Sequence, residues 1–200
     1  TSKSKDLVFF DNLERFKPTS DHEDFGDTTW HGMFQDIDVS TLRSKGINPV
    51  VYYSTKDNLV LDSETNRSDM DLNDSSKWTT ERPKDLSKIK AIAVDARRKL
   101  DGSEFILDAG ASLGLTVTMK APQAPNDSWY DRQLEAGQKE SGLVGGAHAY
   151  NNIAMTGRTI DSSTGRVGEN TLIRHDYVKV GLKPFKLKVN KSWNDDNDRD

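Results

Sequence analysis

The chain has 200 residues, no cysteine, and 32 acidic against 28 basic side chains, for a net charge of -4. Disulfides, thiolate catalysis and cysteine-ligated zinc are excluded, and the acidic balance argues against a broad nucleic-acid-binding face. No apolar run reaches membrane-spanning length and no signal-peptide pattern opens the chain, so no membrane insertion is expected within this segment.

The chain opens at Thr1-Ser2-Lys3-Ser4-Lys5 without a methionine, which reads as a segment of something longer. Asp6 to Phe16 carries Leu7-Val8-Phe9-Phe10, a strand signal. Pro18 to Asp27 is polar and loop-like. Trp30 to Val39 alternates loosely, with Gly32 as a candidate bulge. Ser44 to Asn48 reads as a turn, and Pro49 introduces Val50-Val51-Tyr52-Tyr53, a short buried strand. Asp57 to Lys77 is the most polar region and reads as a long excursion with one short turn of structure. Trp78 to Lys88 is a connector.

Ile89 to Ala121 is the segment the rest is organised around. It holds Ala91-Ile92-Ala93-Val94-Asp95, Phe105-Ile106-Leu107 and Leu115-Thr116-Val117-Thr118-Met119. The first and third alternate and are rich in β-branched residues, the mark of a strand with one buried face. Asp101-Gly102 and Gly110 to Gly114 punctuate them. Three short strands need further sheet to cover their apolar face. Pro122 and Pro125 break any strand beyond Lys120, and the helical candidate Ser128 to Lys139 lacks an apolar stripe. Ala147 to Met155 alternates, Thr156 to Glu169 is turn-rich, and Thr171 to Leu182 is one more strand. About eight to ten short strands with Gly, Pro and Asp turns predict an all-β chain, an antiparallel β-sandwich of immunoglobulin-like or jelly-roll-like type. Long polar loops and little helix are expected. The predicted domain spans residues 1–184.

The four histidines, His22, His31, His148 and His175, show no zinc spacing. Gly142 to Gly146 fits no phosphate loop. Asp195 to Asp200 lacks the glycine and closing glutamate of an EF-hand. Asp69, Asp71 and Asp74 are the candidates for calcium, with solvated acid as the ordinary alternative. Trp30, Trp78, Trp129 and Tyr130 are candidates for a sugar-stacking face, with core packing as the ordinary alternative. No nucleophile or metal constellation is readable, so no enzymatic activity and no cofactor are expected.

The last residues read Val189-Asn190-Lys191-Ser192-Trp193-Asn194-Asp195-Asp196. They resemble the first strand of a collagen-adhesin B-type (Cna_B) repeat, Val-x-Lys-x-Trp-x-Asp-Asp. Residues 185–200 then read as the truncated start of a following domain, or as a linker. Val50-Val51-Tyr52-Tyr53-Ser54, the connector Trp78 to Ser87 and Lys90 to Asp95 resemble modules of cell-wall-anchored surface proteins of Gram-positive bacteria. The resemblance implies an extracellular, cell-surface adhesin or stalk module. Its partners would be a host extracellular-matrix protein or glycan and neighbouring domains of the same chain. It also implies that Lys191 forms an isopeptide bond with a partner outside this chain. A second such bond is implied at Asn152, with Glu14 or Asp11 as the assisting acid, although Asp6 to Phe16 carries no donor lysine and Lys5 and Lys17 only flank it. The alternative reading is a carbohydrate-binding module of a secreted or surface protein.

Overall fold

The computed structural model describes residues 2–13, 32–57, 59–120 and 148–181, with the backbone alone at 148–152 and 174–181. The chain is all-β, built from antiparallel sheets with little helix. In chain order the strands are β1 (Lys3–Asn12), β2 (Met33–Asp38), β3 (Val50–Ser54), β4 (Ala91–Asp95), β5 (Ile106–Leu107), β6 (Thr116–Lys120), β7 (His148–Ile160) and β8 (Thr171–Gly181). A short helix α1 (Ser40–Ser44) follows β2. The main sheet runs β3-β4-β1-β7-β8, with β5 pairing the start of β1, and β2 pairs β6 in a second, two-stranded sheet.

The arrangement is sandwich-like because β1 and β4 are apolar on both faces. Every residue from Leu7 to Leu13 is buried, as are Ala91, Ile92, Ala93 and Val94. The alternation in Ala91–Asp95 reads as one buried face, but it marks small residues on one side and large ones on the other. On the first face Phe10 lies in register between Ala93 of β4 and Ala154 of β7. Those two alanines leave room above the Phe10 ring, and the Trp78 ring meets it edge-on at 6.0 Å and 61°. Leu59, Leu61 and Met70 complete this core. On the second face β2, β6 and α1 cover the sheet. Leu42, Val39 and Ile47 pack on Leu7, Phe9 and Val94, and Phe34 packs on Leu13, Tyr53 and Ile92. Each large apolar side chain buried this way contributes about 1.5–3 kcal/mol.

The polar excursion is therefore the lid of one core. Its one short 3-10 turn, Ser68–Met70, matches the expectation, and its few apolar residues are the anchors. Asp69 ties the excursion together. Its carboxylate accepts from the Val60 N–H at 2.8 Å and its carbonyl accepts from Trp78 Nε1 at 2.8 Å. Asn12 Nδ2 donates to the Leu59 carbonyl at 2.9 Å, and Thr79 bridges Tyr53.

Three local expectations change. Ser40–Ser44 is helical, where only a later turn was expected. The irregularity in β2 falls between Phe34 and Asp36, not at Gly32. Strand β7 continues through Ile160, into the stretch that reads as turns.

One bulge shapes the main sheet. Lys5 pairs Arg158 and Val8 pairs Thr156, so Asp6 and Leu7 together face Gly157. Asp6 takes φ 55° at this bulge, a left-handed conformation that aspartate tolerates better than most residues. Gly157 leaves no room for a side chain. A Cβ there would lie 2.7 Å from Ile173 Cδ1 and 2.8 Å from both Leu7 Cδ2 and the Lys5 carbonyl. Gly157→Ala is expected to destabilise the fold by about 1–3 kcal/mol through overpacking, read as a lower urea midpoint at unchanged slope.

Aspartate two residues before serine recurs at the turns. Asp38, Asp74, Asp85, Asp101 and Asp161 each accept from the main-chain N–H of Ser40, Ser76, Ser87, Ser103 and Ser163. The serine hydroxyl also donates at all but the first. These side chains close the turns locally. The serine hydroxyl, followed by its N–H, holds the carboxyls of Asp74, Asp85 and Asp101 below the usual value. At Asp38 the serine N–H has the larger effect. Asp161, hydrogen-bonded to Ser163 and Thr164, is lowered to about 2. Each group is more acidic folded than unfolded, so its stabilisation is present above about pH 4 and lost as the pH falls through the folded values. Denaturation midpoints should be flat from neutral pH to about pH 5 and fall below about pH 4. An unchanged midpoint at pH 3 would contradict this.

Candidate functional site

Along the first face of the sheet the chemistry changes from row to row. The row Ala93–Phe10–Ala154 is apolar and lies under Trp78. The next row is Asp95–Val8–Thr156. Beyond it come Arg97, Asp6 and Arg158. The far end of the excursion, with Arg67 and Asp71, stands over these polar rows. Between them lies a pocket of about 290 Å³, with Val8, Phe10, Met70 and Leu72 among its apolar lining and Asn73, Thr156 and Asn170 among its polar lining. That volume is near the lower end for small-molecule sites. The bulge at Asp6–Leu7 lies beside the site. Leu7 lies in the core of the second face and Asp6 lines the pocket on the first, and the register of β1 with β7 shifts at this point, as bulges beside sites commonly do.

Three guanidinium groups border the pocket and differ in how they are held. Arg97 forms a two-pronged pair with Asp95, Nε to Oδ1 at 2.8 Å and Nη2 to Oδ2 at 2.6 Å. The Asp95 carboxylate holds its pKa above the usual value. Arg158 Nε lies 3.7 Å from Asp6 Oδ2, within ion-pair range and beyond hydrogen-bond reach. Arg67 donates to two neutral oxygens, the Asn170 carbonyl and Asn170 Oδ1, the latter at 2.6 Å. Among the described residues it meets no carboxylate. The Nε–H groups of Arg67 and Arg158 are buried and have no hydrogen-bond acceptor among the described residues. A buried donor without an acceptor costs about 1–3 kcal/mol.

The calcium candidates are engaged within the chain. Lys77 Nζ sits 3.0 Å from Asp69 Oδ1 and 3.3 Å from Asp74 Oδ2. Asp71 Oδ1 accepts from the N–H and the amide of Asn73 at 3.0 Å. The Lys77 ammonium occupies the position between Asp69 and Asp74 that a cation would take. No group of three or more metal-ligating side chains occurs among the described residues. Lys77→Met is expected to lower the melting temperature, because Asp69 and Asp74 then repel one another, and calcium should partly restore it. Wild-type protein whose melting temperature rises with calcium would show that the site already takes the metal.

Trp78 is 3% exposed and packed on Phe10, so its ring offers no face to a sugar. Trp30, Trp129, Tyr130, Glu14 and Lys191 lie outside the described residues. Asp11 is buried in β1 opposite Ile92 and Ile153. In the backbone register Asn152 pairs with Asn12, one position along from Asp11. β1 begins earlier than expected and does carry lysines. Lys3 pairs Asp108 at 2.8 Å and Lys5 pairs Glu104 at 2.6 Å.

Of the pocket residues, only Asp71 is a site candidate from sequence, and for another role. The rest come from β1, the excursion, the end of β4, β7 and the approach to β8, and no sequence spacing links them. No known protein family, curated protein or solved structure matches the chain.

Proposed function

We propose that this chain is a non-enzymatic extracellular binding module that takes a glycan in the Arg67–Asp71–Arg158 pocket. The observation that carries the reading is the pocket itself. It has fork-shaped donors, amide and carboxylate partners for hydroxyl groups, and an apolar floor, at a volume near 290 Å³. Polar groups converging over an apolar floor are the usual make-up of a small-ligand site. Its size suits one sugar unit better than a protein surface. Placement in a Gram-positive surface adhesin is supported by the resemblance of residues 189–196 to the start of a Cna_B repeat, and the absence of cysteine is compatible with it.

A glycan array with purified protein tests this. Wild-type protein should retain at least one glycan, and Asn73→Trp, which fills the pocket mouth, should lose at least about nine-tenths of that signal while melting normally. Wild-type protein that retains no glycan would overturn the binding reading and leave a stalk role. Release of reducing sugar from a retained glycan would overturn the non-enzymatic part.

A further inference from the structure

We infer that the ligand of this pocket is anionic, a sugar bearing a carboxylate. The inference rests on the glycan-binding reading and goes beyond it in naming the charge. The chain balances two of its three guanidiniums with its own acids. Arg97 is held on two sides by Asp95, and Arg158 faces Asp6. Arg67 is different. Its two terminal nitrogens are fixed by the neutral oxygens of Asn170, which orients the guanidinium and leaves its charge uncompensated among the described residues. Its Nε–H is buried without an acceptor there, and so is that of Arg158.

A pre-oriented guanidinium keeps an outer N–H on each terminal nitrogen, and such a charged donor favours a carboxylate oxygen over a neutral one. A neutral sugar would satisfy the donors but leave the charge unanswered. The Asp71 carboxylate also lines the pocket and is turned onto Asn73, and the rest of the lining suits the remainder of such a ligand. Asn73 and Thr156 offer partners for hydroxyls, and Met70 and Leu72 face the C–H side of a ring.

Calorimetric titration tests the inference, with D-glucuronate as probe and D-glucose and inorganic phosphate as comparison arms. Glucuronate should bind saturably, and glucose at least about tenfold more weakly. Arg67→Gln and Arg158→Gln should each weaken glucuronate at least about tenfold, with the melting temperature checked for each. Arg67→Lys should also fail to bind normally, because lysine keeps the charge and loses the fork. Equal binding of glucose and glucuronate, or full binding by Arg67→Lys, would overturn the anionic assignment. So would binding of phosphate alone. If a neutral glycan binds and is lost with Asn73→Trp, the binding-module reading stands and the charge assignment falls. If glucuronate, glucose and phosphate all fail to bind, the charge assignment falls, and the glycan array alone decides the module reading.

Discussion

Burying a strand on both faces demands two covers, and β1 is such a strand. From Leu7 to Asn12 no residue of it reaches solvent appreciably. A sheet carrying it in the middle cannot leave one face wet, as many antiparallel sheets do. One cover is built conventionally, from β2, β6 and α1. The other is a stretch of chain with almost no regular structure. That stretch serves as a cover because its few large apolar residues fall where the sheet offers small ones. Trp78 sits over the Phe10 row only because Ala93 and Ala154 flank Phe10. The covering loop is anchored by Leu59, Leu61, Met70 and Trp78, and polar ties at Asp69, Asn12 and Thr79 fix its path.

The same geometry accounts for the pocket. A cover held over the apolar rows ends where those rows end. Beyond Val8 the face of the sheet turns polar, and the excursion's side chains leave a pocket there. The bulge opposite Gly157 sharpens the boundary. Asp6 and Leu7 stand on opposite sides of the sheet as strand neighbours do, and the extra residue shifts the register with β7 beyond them. The strain at Asp6 and the crowding at Gly157 are two costs of one local arrangement, and both lie beside the site.

The fold was legible where periodicity carried it. Val50 to Ser54, Thr116 to Lys120 and Thr171 to Gly181 fall close to their expected limits. So does the assignment of antiparallel β structure with little helix. What periodicity cannot show is which face a covering loop will take. Ala91 to Asp95 looked half-buried because alanine and isoleucine alternate there, yet both sides are covered and only the size of the side chains differs. Strand β7 ran past its expected end because Thr156, Gly157 and Thr159 are poor apolar signals. Gly157 was kept there for space, not for a turn. The site was hardly legible at all. Its residues come from segments far apart in the sequence, and only the register of β1 with β4 and β7 brings them together.

Two charged clusters in the same excursion show why counting charges misleads. Asp69, Asp71 and Asp74 lie close in sequence and suggest a cation site. In the fold, Lys77 stands between Asp69 and Asp74, while Asp71 turns back on Asn73. The cluster is closed by the chain's own groups. Arg67 lies only two residues from Asp69, yet its guanidinium is directed away to Asn170, where it finds dipoles and no carboxylate among the described residues. A closed cluster contributes to holding the loop. An oriented charge without a counter-charge contributes less to the fold than a paired one would, since neutral acceptors return less of its hydration than an ion would. Its position at the lip of a pocket is where that deficit is best recovered from outside, by a ligand that brings the missing negative charge.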